Sequence, residues 1–347
     1  EIRLSLVGSE MCIRDRLGCY RNSFREAIRE NGGMHMEVKQ KKKIPVGFLV
    51  GAVLAVAVLG AGVYGALQFL TPKGCRDYTV QKEQYYVQYS EQYDYWDVLT
   101  VEYPRVSGIS TGQEETINKL FNDVAMEKVH FWHLFPDEEV KELQKDYQMF
   151  CSDVHCEVPY HSQYLMSVHF QELYAPISPL HYVHRTQRCA NVNLMTGEQY
   201  ALSDIFTLND DFMGLWCTQV EESGDYGELI VNDADTRETF LQWFLNDDEE
   251  ANAQYLFTPF FYLDANKNFV IGLSYDPKPS KIVSKLPLEN SFCAHFQSAE
   301  LEPYRTDSEF WNWYEQSEQT GEILECGNLE ENLWLGKDAS IWEFIEQ

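Results

Sequence analysis

The chain has 347 residues, with 55 acidic against 27 basic side chains and a formal net charge of −28. A hydrophobic share of 44%, with 20 Phe and 21 Tyr, excludes a disordered chain, and the length allows one large domain or two ordinary ones. The negative charge argues against a nucleic-acid partner, because such a partner requires a basic face that neutralises phosphates.

Residues 1–35 are expected to be adapter-derived sequence followed by an upstream segment that is untranslated or truncated. Residues 6–16 read LVGSEMCIRDR and resemble a translated sequencing adapter, so they are not expected to belong to the fold. Residues 17–33 have two interpretations. Either they precede a start at Met36 (or Met34), or they end a cytoplasmic helix that has lost its beginning.

Residues 44–70 form an uncharged run, IPVGFLVGAVLAVAVLGAGVYGALQFL. A bilayer core needs about 20 helical residues, so this run predicts one transmembrane helix in contact with lipid. Four lysines lie in the tail at 36–43, against Lys73 and Arg76 after the run, which places the N-terminus in the cytoplasm. The sequence therefore predicts a single-pass protein of the cell membrane with its C-terminal portion outside. A cleaved signal peptide is the alternative, although its apolar core is normally about 7–15 residues long.

Beyond the membrane span, apolar periodicity and turn residues predict a mixture of helices and strands. The predicted elements are an extended segment at 78–89, a strand at 96–103, a helix through Ile117–Val124, a helix at 136–149, strands at 164–170 and 182–194, helices at 212–220 and 236–245, and a hairpin of 257–263 with 269–275. This order is typical of an α+β domain with an antiparallel sheet. Thr111 and Glu114 have the spacing of a capping box for the first of these helices.

The outer portion, residues 71–347, carries 49 acidic and 17 basic residues. Such a surface steers cationic partners toward the domain. The alternative interpretation is that an acidic surface only resists aggregation.

The predicted organisation divides the chain into six parts. They are the upstream segment 1–35, the cytoplasmic tail 36–43, the transmembrane helix 44–70, a juxtamembrane segment 71–95, an extracellular α+β domain 96–300, and an acidic, aromatic C-terminal segment 301–347. Four tryptophans of the last segment, at 311, 313, 334 and 342, are expected to pack on the domain, with partner binding as the alternative.

Cys151, His155, Cys156 and His161 lie within eleven residues. Zinc prefers four ligands of these kinds, but the spacing of the two cysteines and His155 matches no usual zinc site. Cys151 and Cys156 are the cysteines nearest in sequence and are the candidate disulfide, since disulfides persist outside the cell. The outer portion has seven cysteines, so at least one is left over.

Residues 264–268 read DANKN and resemble the first half of a calcium loop. Phe269 stands where that loop needs Gly, and Tyr275 where it needs a bidentate Glu, so a hairpin tip is the favoured interpretation. No nucleophile elbow or phosphate-binding loop is present in the sequence. The sequence therefore predicts no cofactor, no metal and no enzymatic activity.

Parts of the chain resemble a family of extracellular domains of unknown function. The resemblance covers a first stretch at 101–129 and a second at 165–206 that continues at 257–292. That family occurs in lysozyme-sensing RsiV-like anti-sigma factors of Gram-positive bacteria and in the N-terminal part of some peptidoglycan deacetylases. The pieces that carry the resemblance are Tyr103, Pro104 and Gly108, the turn at Thr196 and Gly197, and the segment of Leu202, Asp204 and Phe206.

The resemblance implies a non-enzymatic binding or sensing domain, whose partner is a cationic protein such as lysozyme or a cell-wall glycan. It implies partner-binding residues at His181, Tyr182 and His184. The family usually has a Gly-Gly-Ala-His run here, and this chain keeps only its histidine, in Ser178-Pro179-Leu180-His181. The alternatives are an accessory module of a wall-modifying enzyme and a truncated anti-sigma factor.

Overall fold

The computed structural model describes residues 74–87, 96–145, 149–177, 184–223, 232–277 and 291–325. All of them belong to one compact unit, Lys73–Gln347. The predicted parts at 1–35, 36–43 and 44–70 lie outside the described residues. Within the described ranges, no helix is both long and apolar enough to cross a bilayer.

The strands of the described residues form two sheets. They are β1 (Thr79–Val87), β2 (Trp96–Ser107), β3 (Met149–His161), β4 (Leu165–Ile177), β5 (His184–Asn193), β6 (Tyr255–Leu263), β7 (Phe269–Pro277) and β8 (Ser291–Phe296). The first sheet has the order β1-β2-β3-β4-β5 and the second the order β6-β7-β8. The predicted α+β class is confirmed. The sheet is not wholly antiparallel, however, because β2 and β3 pair in parallel.

Two neighbouring parallel strands need a long crossover connection. The helices between β2 and β3 supply this connection. The helices of the described residues are α1 (Glu114–Val129), which continues as a π-helical turn (His130–Leu134), α2 (Glu138–Gln144), α3 (Leu202–Ile205), α4 (Asp210–Ser223), α5 (Ala234–Leu245), α6 (Glu249–Asn252) and α7 (Phe310–Gln316).

Helix α1 covers one face of the first sheet. Ile117, Phe121 and Ala125 recur every four residues and are fully buried, as a helical stripe against a core requires. The predicted capping box is wrong, because Glu114 accepts a hydrogen bond from the backbone of Gly108 and the Thr111 hydroxyl donates to Leu194 O. Both side chains instead join the strand exit and the β5 turn to the helix start.

A second, strongly aromatic core lies around the second sheet. Trp216 of α4 is fully buried, and its indole N–H donates to Ile271 O of β7 at 3.0 Å. Phe310 and Trp311 of α7 pack into the same core, so the predicted packing of Trp311 is confirmed. Leu301 and Tyr314 of the predicted C-terminal segment lie in this core as well. Trp334 and Trp342 lie outside the described residues.

Polar side chains join the two sheets. Asn191 of β5 donates to Phe261 O at 2.7 Å, and Ser167 of β4 donates to the Asn191 side chain at 2.6 Å. Ser274 of β7 both accepts from the backbone N–H of Gln187 and donates to its carbonyl. Buried polar groups are stable only when they are paired, so these bonds fix one sheet against the other.

Candidate functional site

Of the three predicted partner-binding residues, His181 and Tyr182 lie outside the described residues. His184 is the first residue of β5, where its backbone pairs with Tyr174 of β4. Of the predicted site, the structure therefore places only His184, at the start of β5.

A buried ion network supports that hairpin. The Arg188 guanidinium donates to Glu172 Oε1 at 2.9 Å and also pairs with Glu127 of α1, while Thr186 donates to Glu172 Oε2 at 3.0 Å. Burial lowers the pKa of Arg188, but the two carboxylates outweigh burial and raise it. Arg188 and Glu172 are 5% and 1% exposed, so this network holds structure rather than a ligand.

The structure separates the predicted cysteine and histidine cluster. Cys151 and Cys156 lie five positions apart on the continuous strand β3. Their Cα atoms are therefore about 16 Å apart. A disulfide needs Cα atoms within about 7 Å, so the candidate pair cannot bond within the chain and that prediction is wrong. Short spacing in sequence becomes long spacing in an extended strand.

The two histidines of that cluster have protein partners. His161 Nε2 lies 2.9 Å from Glu322 O, and its Nδ1 lies 3.0 Å from the Tyr78 hydroxyl. His155 Nδ1 lies 3.2 Å from Glu102 and its Nε2 lies 3.1 Å from Asp153. Among the described residues, no group of three or more His, Cys, Asp or Glu side chains is placed to hold a metal ion.

The DANKN segment is a hairpin tip, as the sequence favours. Asp264 Oδ1 accepts from the backbone N–H of Asn266 at 2.7 Å and of Asn268 at 2.8 Å. Lys267 has a φ of 63°, which closes the turn. The Asp264 carboxylate therefore serves the turn, because an Asp side chain that accepts from its own backbone imitates a backbone turn.

A groove that the sequence analysis did not identify lies between α5, α6 and the second sheet. Its volume is about 760 Å³. Ligand pockets typically measure about 300–1,000 Å³. Six aromatic side chains line it: Phe240, Trp243, Tyr255, Phe257, Tyr275 and Phe292.

These rings hold one another in place. Trp243 stacks on Phe257 with centroids 4.9 Å apart, and Tyr275 stacks on Phe292 at 5.7 Å. Phe240 meets Trp243 edge-on at 5.1 Å and Phe292 edge-on at 5.5 Å, so it connects the two stacks. Pairs of this geometry contribute beyond simple burial, so the groove wall is preformed.

The same groove is lined by the carboxylates of Asp235, Asp248 and Glu250. Asp248 caps α6 by accepting from the backbone N–H of Ala251 at 2.9 Å, and it also accepts from the Trp243 indole at 3.2 Å. Asp235 and Glu250 are exposed at the first turns of α5 and α6. Among the described residues that line the groove, none is Lys, Arg or His.

The sequence gives only a faint indication of this groove. Its rings come from three strands and a helix between positions 240 and 292, and they meet only after the second sheet has formed. The acidic run at 247–250 is the local signal, but such runs usually mark a solvated turn.

The solved structures that resemble the chain include two proteins of the DUF3298 family. One is a member of the DUF3298 family from Bacteroides fragilis, with 12% identity over 70% of this chain and 99% of that chain and a TM-score of 0.45. The other is a DUF3298 family protein from Pseudomonas aeruginosa, with 10% identity, coverage of 66% and 94%, and a TM-score of 0.37. No family model and no curated protein matches the sequence.

Proposed function

We propose that the protein is a non-enzymatic binding or sensing domain, fastened to the membrane of a Gram-positive bacterium by residues 44–70 and exposed outside the cell. Its partner is a cationic protein such as lysozyme. This role follows the RsiV-like resemblance of the sequence.

The observation that carries the proposal is the charge of the outer portion, in which residues 71–347 contain 49 acidic and 17 basic side chains. A field of this sign attracts a basic protein and raises its association rate. The groove supports the same role, because its carboxylates lie beside apolar ring surface and together suit a cationic side chain.

The test of the partner is binding of the full chain, kept in a non-ionic detergent, to hen lysozyme. We expect the affinity to fall as salt rises from about 0.02 to 0.5 M, because salt screens exposed charges. Succinylated lysozyme, whose lysines carry negative charge, is the matched control and should not bind. Absent binding, or binding that salt and succinylation leave unchanged, would contradict the proposal.

The test of the topology is protease treatment of intact cells. We expect the portion after residue 70 to be cleaved while a cytoplasmic control protein stays whole. A chain that resists the protease on intact cells and is cleaved after lysis would contradict the outward orientation. Soluble peptidoglycan fragments test the alternative partner, a cell-wall glycan, in the same binding assay.

A further inference from the structure

We propose that the aromatic groove between α5, α6 and the second sheet is a binding site for a lysine or arginine side chain presented by a protein partner. The inference rests on the proposed function and names the contact through which a cationic partner is held. The ligand is an organic cation within a polypeptide, and not a sugar or a free metal ion.

Charge selects the ligand. The carboxylates of Asp235, Asp248 and Glu250 line the groove, and no basic side chain lines it within the described part of the chain. Asp248 is engaged by the α6 cap and by Trp243, whereas Asp235 and Glu250 are exposed residues in the first turns of α5 and α6. A cation in the groove is attracted by these carboxylates, and an uncharged sugar is not.

The rings supply the second half of the site. Trp243, Tyr255 and Tyr275 are half-buried in the groove wall, so part of each ring remains accessible. An ammonium or guanidinium group over such a ring is attracted by the ring quadrupole, and the attraction grows where water is excluded. The hydrocarbon stem of a lysine or arginine also packs on apolar ring surface while its charged end reaches the rim.

The protein already uses this chemistry inside its own fold. Lys267 lies over the Tyr314 ring, with its ammonium 4.5 Å from the centroid. The Arg305 guanidinium lies 4.2 Å from the centroid of a Trp311 ring. The groove offers similar rings beside carboxylates, and among the described residues that line it none is basic. A partner's side chain is therefore the group that completes it.

The experiment measures binding of a capped peptide with the sequence Leu-Lys-Leu-Lys-Leu-Lys to the full chain in non-ionic detergent, by calorimetry. The groove variant is Asp235→Asn with Glu250→Gln, which removes two charges and keeps the side-chain shapes. We expect its dissociation constant to rise about tenfold. The control variant is Glu138→Gln with Glu139→Gln, which makes the same charge change in the first turn of α2 and should shift binding less than about twofold.

A second pair of variants tests the ring contribution. Tyr255→Phe keeps the ring and should bind like the parent, whereas Tyr255→Leu should weaken binding about threefold or more. Circular dichroism and the melting temperature of every variant confirm that it is folded. The same peptide with acetylated lysines should not bind, because acetylation removes the cation.

Three outcomes would overturn the inference. They are equal binding of the acetylated peptide, equal loss in the α2 control, and tight groove-dependent binding of tetra-N-acetylglucosamine, which would make the groove a glycan site. The proposed function fails separately. Lysozyme that binds the parent and the groove variant equally would refute only the groove, and a peptide that binds where lysozyme does not would refute only the lysozyme partner.

Discussion

The ammonium group of Lys128 pairs with the carboxylate of Asp276, although the two residues are 148 positions apart in the chain. Lys128 lies near the end of α1, the helix that packs on the first sheet. Asp276 lies near the end of β7, a strand of the second sheet. They are only 8% and 4% exposed, and the Tyr174 hydroxyl of β4 donates to the same carboxylate. One buried carboxylate thus joins the helix layer to both sheets.

Asp276→Asn should therefore destabilise the protein strongly. The substitution keeps the shape of the side chain but leaves the Lys128 charge buried without its counter-charge, and breaking one half of a buried pair costs about 3–5 kcal/mol. Urea unfolding followed by circular dichroism gives the change in the free energy of unfolding. The matched control is Asp123→Asn, which removes an exposed partner of Lys119 and should cost less than about 1 kcal/mol. Similar losses in both variants would contradict the structural role given to Asp276.

Gly272→Ala should also be destabilising, and for a steric reason. A Cβ atom at Gly272 of β7 would lie 2.2 Å from the Phe260 ring and 2.6 Å from Phe292 O, so neighbouring strands would have to move. Overpacking of this kind costs roughly 1–3 kcal/mol. Gly214→Ala is the control, because its Cβ would lie 3.3 Å from the flexible Arg237 side chain within helix α4. Alanine favours a helix over glycine by about 1 kcal/mol, so this control should be neutral or stabilising, as thermal unfolding can show.

Local patterns predicted the elements that depend on local chemistry. The hairpin around 264–268 is confirmed, because its two strands pair antiparallel and its turn residues satisfy their own backbone. The turn at Gly197 is confirmed by a φ of 75°, a conformation that favours glycine. The predicted helices at 212–220 and 236–245 are present as α4 and α5.

The features that the sequence did not predict depend on contacts between distant residues. The central strand β3 alternates between Asp153, His155 and Glu157 on one face and the buried residues Val154, Cys156 and Val158 on the other, but the nearby cysteines pointed to a disulfide instead of a strand. The predicted helix at 136–149 and the candidate disulfide of Cys151 and Cys156 stand at the beginning of this strand. The aromatic groove was missed for the same physical reason, because its walls are adjacent only in the folded second sheet.

Phe310→Ala should show that residues 301–325 belong to the core. Phe310 is 1% exposed, and its ring meets Phe261 of β6 at 6.0 Å and Tyr200 at 5.2 Å. Removing a buried phenyl ring costs about 3–5 kcal/mol. Phe135→Ala is the control, since that ring is 75% exposed and its loss should change the free energy of unfolding by less than about 0.5 kcal/mol. Equal effects in urea unfolding would place the C-terminal segment outside the core.

The last prediction concerns pH and His155. Burial alone lowers the pKa of this imidazole, but hydrogen bonds and charge from Asp153 and Glu102 outweigh burial and raise the pKa from 6.5 to about 9. The same imidazolium lowers the pKa of Glu102. Because the folded state holds the proton more tightly than the unfolded state, the stabilisation is complete below pH 6.5 and is lost as the pH rises through 9.

The free energy of unfolding should therefore fall by roughly 2–3 kcal/mol between pH 6.5 and 9.5, measured by urea unfolding at a series of pH values. His155→Gln should flatten this part of the profile, because glutamine can hydrogen-bond but carries no proton to lose. His295→Gln, which changes an exposed histidine of β8, should leave the slope in place. A profile that is flat in the parent, or that keeps its slope in His155→Gln, would mean that His155 is neutral between its two carboxylates.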